Sequence, residues 1–174
     1  GAATAVCVEK SGRHAQFIRD NAVSSGAPTG ALEVRVQDVF AVLPQLAQAG
    51  RQFDLILADP PYGDKNVGRR SESFAQQLLD DPLLPRLLAA GGRFVLGHSK
   101  RDTLSPVPSW REVRLLKHGD SLMRFFAVDA GAVHIDLPQG RYLVSLAKEG
   151  YGFKRMFLNL FDGMPPHQFR LLKD

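Results

Sequence analysis

Asp59-Pro60-Pro61-Tyr62 ends an apolar run, Phe53 to Ala58 (FDLILA), and is the segment best equipped for chemistry. Two consecutive prolines remove two backbone donors and fix φ, so the chain cannot continue a sheet ladder there. The peptide becomes a rigid ledge at a strand end, with its carbonyls free to face a ligand. Asp59 and the Pro60 carbonyl can each accept an N–H, and Tyr62 offers an aromatic face on which a base can stack. Pro61 completes the ledge. Such equipment orients a planar amine with its nitrogen lone pair towards an electrophile, and positioning supplies much of the rate. A Pro-Pro turn with a capping Asp is the plainer alternative, but the largely apolar strand before it, after two β-α units, favours the ledge.

Two other carboxylates, Glu9 and Asp38, follow apolar stretches in the same way. In an open parallel sheet, ligands bind outside the carboxyl ends of the strands, where an acidic residue is placed to accept from ribose hydroxyls. Asp38 could accept from an exocyclic amine such as that of adenine. For either residue alone, a solvated loop carboxylate or a helix cap serves as well; at corresponding positions they are more persuasive together. Beyond the ledge, the polar stretch Gly63 to Ser71 carries Lys65, Arg69 and Arg70, which suit phosphate contact or a solvated charged loop equally. His98 and Lys100 follow a later apolar strand and could line a substrate, although a surface histidine is the simpler account of His98. His118 reads as a turn residue and Cys7 as a buried strand filler. No His, Cys and Asp cluster has metal-ligand spacing, so no metal is expected.

The elements that must position these residues follow from periodicity. Ala5 to Val8 is a short buried strand, and Ser11 can cap a helix in which Ala15, Ile18 and Ala22 recur at helical spacing. Leu32, Val34 and Val36 alternate as a second strand, and Phe40, Leu43, Leu46 and Ala47 trace a helix closed by Gly50. The third strand is Phe53 to Ala58. Helical segments are expected from Glu72 to Leu79 and from Leu83 to Ala90, before Gly91-Gly92 turns into a strand at Arg93 to His98. Trp110 to Leu116 and Leu122 to Val128 form a hairpin around Lys117 to Asp120. The order β-α-β-α-β-α-β followed by a hairpin means an α/β fold, a mostly parallel sheet covered by helices, with a C-terminal antiparallel hairpin. From Asp129 the character changes. Val133 to Leu137 and Tyr142 to Leu146 could pair around Pro138 to Gly140, and residues 129–174 read as an appendage of undefined role after a domain at 1–128.

The chain has 174 residues, 44% of them apolar and 23% charged, which suits one globular domain with an appendage and excludes disordered, collagen-like and coiled-coil chains. No stretch approaches the roughly 18 uncharged apolar residues of a membrane span, and the first residues lack a signal-peptide pattern. One cysteine permits no internal disulfide, which fits a reducing cytoplasm. Lys and Arg outnumber Asp and Glu by 22 to 18, a net charge of +4, which favours nucleic acid without establishing it.

FDLILADPPYGD resembles motif IV of the amino-group methyltransferases that use S-adenosylmethionine, where Asp, Asn or Ser precedes Pro-Pro and an aromatic residue. CVEKSGRHAQFIRDNA, GGRFVLGHSKRD, Trp110 and LLKHGDSLMRFFAV are similar to the bacterial enzymes that methylate guanine N2 in 16S ribosomal RNA. The resemblance covers Gly1 to Val128 and implies a Rossmann-like methyltransferase sheet. It implies that Glu9, with its neighbour Lys10, binds the cofactor ribose and that Asp38, with Val39, binds the adenine end. Asp59 meets both cofactor and substrate, and Asp59, Pro60, Pro61 and Tyr62 hold the target guanine amine. Lys65, Arg69, Arg70, His98 and Lys100 would face the RNA, so that the partner is ribosomal RNA or an assembling small subunit, in the cytoplasm. The family's glycine-rich first motif and first strand are not found in this chain. That strand would be central, and its absence leaves unpaired edges on both sides. Amine methylation of DNA adenine or a protein glutamine, and a non-catalytic RNA-binding relic, are the alternatives.

Overall fold

The computed structural model describes residues 2–66 and 68–128, and the backbone of Gly140–Lys148 and Tyr151–Leu160. Two compact units divide the chain, Gly1–Ile56 with Asp81–Gly92, and Leu57–Asp80 with Arg93–Asp174.

In the first unit, β1 (Ala5–Glu9) and β2 (Leu32–Val36) pair in parallel, Ala5 opposite Leu32 and Glu9 opposite Val36. A parallel pair needs a crossover, and α1 (Gly12–Ser24) supplies it. Ser11 starts α1 as expected, its hydroxyl accepting from the His14 N–H at 3.4 Å. Asp38 starts α2 (Val39–Gln48) in the same manner. Ala15, Val42, Leu43 and Leu46 are at most 4% exposed and form the core, with Leu84 and Leu87 from a single 3₁₀ turn at Leu84–Leu87 that packs on α2.

That turn corrects the helix expected from Leu83 to Ala90. Pro82 and Pro85 deny the segment two backbone donors, and the Asp81 carboxylate accepts from the Leu83 and Leu84 N–H groups at 2.8 and 3.1 Å. These bonds close a tight turn in place of a helical ladder. β4 therefore begins at Leu88, not Arg93, and runs through Gly91-Gly92 to Ser99.

β3 (Phe53–Ala58) lies at one end of a four-stranded sheet whose order is β3, β4, β6, β5. β5 (Trp110–His118) and β6 (Ser121–Val128) form the expected hairpin, and β6 is antiparallel to β4 as well, with Phe94 opposite Phe126. In the second unit Phe94, Trp110 and Phe126 cluster with ring centroids 5.1 to 6.0 Å apart. Such pairs add about 0.5–1.5 kcal/mol each beyond the area they bury. The Trp110 indole N–H donates to the Leu79 carbonyl at 3.1 Å, tying the start of β5 to α3 (Phe74–Asp80).

Among the described residues β1 pairs only with β2 and β3 only with β4, so each keeps one edge without a partner strand. β3 also turns Leu55 and Leu57 towards solvent, 54% and 69% exposed. The chain's later part holds β7 (Gly140–Lys148) antiparallel to β8 (Tyr151–Leu160). Tyr142 to Leu146 thus pairs with β8, and its expected partner, Val133 to Leu137, lies outside the described residues.

Candidate active site

Asp59 follows β3 directly, and the prolines after it end the ladder as their chemistry requires. Its carboxylate is exposed and makes no hydrogen bond or ion pair with any described residue. It lies across Gly97 of β4: a Cβ built at Gly97 would sit 2.5 Å from Asp59 Oδ1 and 3.2 Å from its Cγ. Glycine at position 97 is what lets the carboxylate rest there. Pro60 is half-buried and Pro61 exposed. Tyr62 is 54% exposed, and its hydroxyl is 2.9 Å from Ser121 Oγ at the start of β6, which anchors the ring's far end. Gly63 passes so close to Ser73 and Asp102 that a Cβ would meet Ser73 Cβ at 2.4 Å.

Two buried amides shape the loop that follows. Asn66 donates to the carbonyls of Arg69 and Thr103 at 3.1 and 2.9 Å and accepts from the Thr103 N–H at 2.7 Å. Gln76 of α3 clamps Ser105 through its carbonyl and N–H, at 2.9 and 2.8 Å. Each side chain does the work of a short strand pairing, and two cavities open around the 63–72 segment, one of them shared with residues 100–105. One, of about 400 Å³, is lined by Tyr62, Asp64 and Ser73. The other, of about 830 Å³, is lined by Lys65, Lys100, Arg101 and Thr103. Asn66, Arg69 and Arg70 line both. The structure therefore brings Lys65, Arg69, Arg70 and Lys100 to one place. Arg70 pairs with Asp80 at 2.5 Å and Lys100 with Asp120, whose carboxyl that lysine holds below its ordinary pKa.

His98 is not with them. It is 1% exposed, so the expectation of a surface or substrate-lining histidine is corrected. Its place next to Gly97 in β4 points the ring into the unit, where Nε2 accepts from Arg124 Nε at 3.1 Å and Arg124 in turn holds Glu112 at 2.9 Å. Burial, and then the Arg124 charge, push the His98 pKa down, so the ring is neutral with its proton on Nδ1. Asp102, also 1% exposed, stands near; His98 Nδ1 and both Asp102 oxygens have no hydrogen-bond partner among the described residues. His118 is the last, exposed residue of β5, and Cys7 is half-buried in β1 where a buried filler was expected.

In the first unit, Glu9 accepts from the Ser11 N–H at 2.7 Å through Oε1, and His14 Nδ1 stands 3.8 Å from the same oxygen. Asp38 is both cap and ion-pair partner: Oδ1 accepts from the Phe40 N–H at 3.0 Å and Oδ2 from Lys10 at 3.1 Å. The Lys10 bond, then the Phe40 bond, hold its carboxyl below the ordinary pKa. Val39 is the first residue of α2. The half-buried Glu9 retains Oε2 for a hydroxyl, so the donor set fits a ribose-bearing ligand. Among the described residues, no group of three or more His, Cys, Asp or Glu could hold a metal ion, and no helix is long and apolar enough to cross a membrane.

Gly97, Asn66, Gln76 and Arg101 were not singled out in the sequence. A glycine inside a strand marks a close approach of something else, and that signal was present at position 97. Nothing local marks Asn66 or Gln76, whose partners are 37 and 29 residues away.

A family model described as conserved hypothetical protein 95 matches residues 1–127. No curated protein sequence matches the chain. Among solved structures, a hypothetical protein from Thermus thermophilus is 23% identical with a TM-score of 0.54, over 72% of this chain and 63% of that one. A candidate methyltransferase from Escherichia coli is 20% identical with a TM-score of 0.55, over 74% and 66%. A candidate methyltransferase crystallised with SAH is 13% identical with a TM-score of 0.55, over 74% and 40%. The chain thus spans slightly less than two thirds of the first two proteins, and these likenesses show that it has their α/β fold.

Proposed function

The chain belongs to the conserved hypothetical protein 95 family, and from that premise we propose that it transfers a methyl group from S-adenosylmethionine to the exocyclic N2 amine of a guanine in small-subunit ribosomal RNA, in the cytoplasm. The observation that carries the reading is the Asp59 carboxylate, exposed, without a partner among the described residues and resting across Gly97, with Tyr62 54% exposed three residues on. The name of the Escherichia coli neighbour supports methyl transfer, and that of the neighbour holding SAH supports the cofactor.

In the first unit Glu9 would take ribose hydroxyls, with Asp38 and its neighbours Lys10 and Val39 at the base. When bound, that cofactor supplies an electrophilic methyl group. In the second unit the target base stacks on Tyr62, worth about 1–3 kcal/mol per base. Asp59 accepts one amine N–H and the Pro60 carbonyl the other, which draws the nitrogen lone pair out of the ring's conjugation and aims it. As the methyl group passed from sulfur to the nitrogen, leaving S-adenosylhomocysteine, the Asp59 carboxylate would take the proton that the nitrogen loses and release it to the solvent that reaches it.

The test offers methyl-labelled S-adenosylmethionine with three acceptors in parallel: a small-subunit ribosomal RNA fragment, adenine-containing DNA and a glutamine peptide. Label in N2-methylguanine is the expected result. Label in DNA or peptide alone moves the substrate assignment, and a folded chain that labels none and binds no S-adenosylhomocysteine overturns the reading.

A further inference from the structure

The cavity of about 830 Å³ on the second unit carries five cations, Lys65, Arg69, Arg70, Lys100 and Arg101, and no carboxylate of the described residues lines it. Arg70 and Lys100 are balanced by Asp80 and Asp120, whereas Lys65, Arg69 and Arg101 form no ion pair with any described residue. Three cations without an ion-pair partner in one concavity, Arg101 alone feeling the charge of Asp120, focus a positive potential that a surface scatter would not. The concavity is also braced. The Asn66 and Gln76 clamps on Thr103 and Ser105 hold its two walls, so the cations are presented without first ordering a loop.

We propose that this cavity seats the phosphodiester flanking the base held on Tyr62, and that the ligand is a single strand of nucleic acid with that base turned out. The proposal rests on the reading of Asp59 and Tyr62 as a base ledge. Its geometric ground is that Asn66, Arg69 and Arg70 line both this cavity and the smaller one beside Tyr62, so base and adjoining phosphate meet one continuous wall. A base face is open to an aromatic ring only in a single strand, and the cations track its backbone without reading sequence. Arg101 is the residue this assigns anew, and its guanidinium suits bidentate phosphate contact.

The probe is a fluorescein-labelled single-stranded heptaribonucleotide with a central guanine, titrated by anisotropy without cofactor from 50 to 300 mM KCl. Each phosphate neutralised on a single strand contributes about −0.7 to the slope of log K against log salt, so three free cations give about −2. Arg101→Ala is expected to make that slope shallower by about 0.7 and weaken binding several-fold, with circular dichroism unchanged; Arg101→Lys restores the slope. Arg19→Ala, on the exposed side of α1, leaves both unchanged. An unaltered slope in Arg101→Ala, or equal affinity for a blunt duplex of the same sequence, overturns the proposal. Because no cofactor is present, failure of methyl transfer leaves the salt response standing. RNA methylation with an unaltered Arg101→Ala slope would remove this seat alone.

Discussion

Asp38 and Asp59 occupy the same kind of place, just past an apolar strand, yet Asp38 has both oxygens taken by the Phe40 N–H and Lys10 while Asp59 has neither taken by any described residue. The first carboxylate starts a helix and fastens a neighbouring side chain. The second is positioned by the absence of a side chain at Gly97. A carboxylate fastened by its own chain meets a ligand as a fixed point, and one that is merely given room is free to take up a proton. Position along the sequence does not separate the two cases; the partners do.

The largest expected effect comes from removing the untied group. Asp59→Ala should lower methyl transfer by about 10²–10⁴-fold with the melting temperature nearly unchanged. Wild-type turnover in that variant breaks the comparison outright. Gly97→Ala sharpens it, because the added methyl displaces a flexible carboxylate and not a backbone. Single-turnover rates should drop by about 10²-fold, as for a misplacement near 1 Å, while the fold survives; loss of folding instead would mean the strand needs that glycine for itself.

Among the described residues His98 is tied at one nitrogen, and its depressed pKa gives it a pH signature. The unfolded chain takes up a proton near the ordinary value of 6.5 and the folded chain does not, so stability is full above 6.5 and declines as pH falls below it. His98→Gln should flatten that acid limb in thermal melts between pH 7 and 5; an unchanged limb would assign it to other groups. The smallest effect belongs to the tied carboxylate. Asp38→Ala should lower the melting temperature by roughly 2–4 °C through the lost cap, visible by circular dichroism, with far less effect on the transfer rate than Asp59→Ala.

What could be read from the sequence was local. Strands at Ala5–Glu9, Leu32–Val36 and Phe53–Ala58 announce themselves by apolar runs, and Ser11 and Asp38 by capping chemistry. The prolines after Asp59 fix where that strand must stop. What could not be read depends on partners far along the chain. Leu84, Leu87 and Leu88 have helical spacing, but prolines and the Asp81 turn prevail over it. The inward aim of His98 requires knowing that β6 brings Arg124 alongside. The shared wall around Arg69 and Arg70 exists only because Asn66 reaches Thr103.

The indole of Trp110 is the chain's single tryptophan, and it lies 6% exposed against Phe94 and Phe126 with its N–H on the Leu79 carbonyl. Excited at 295 nm, the protein therefore has one emitter, and that emitter belongs to the second unit. Its emission shifts to the red when that unit opens and is silent about melting confined to the β1–α1–β2–α2 unit. A fluorescence transition that trails the circular dichroism transition would show the two units losing structure one after the other, with the aromatic cluster the last to yield.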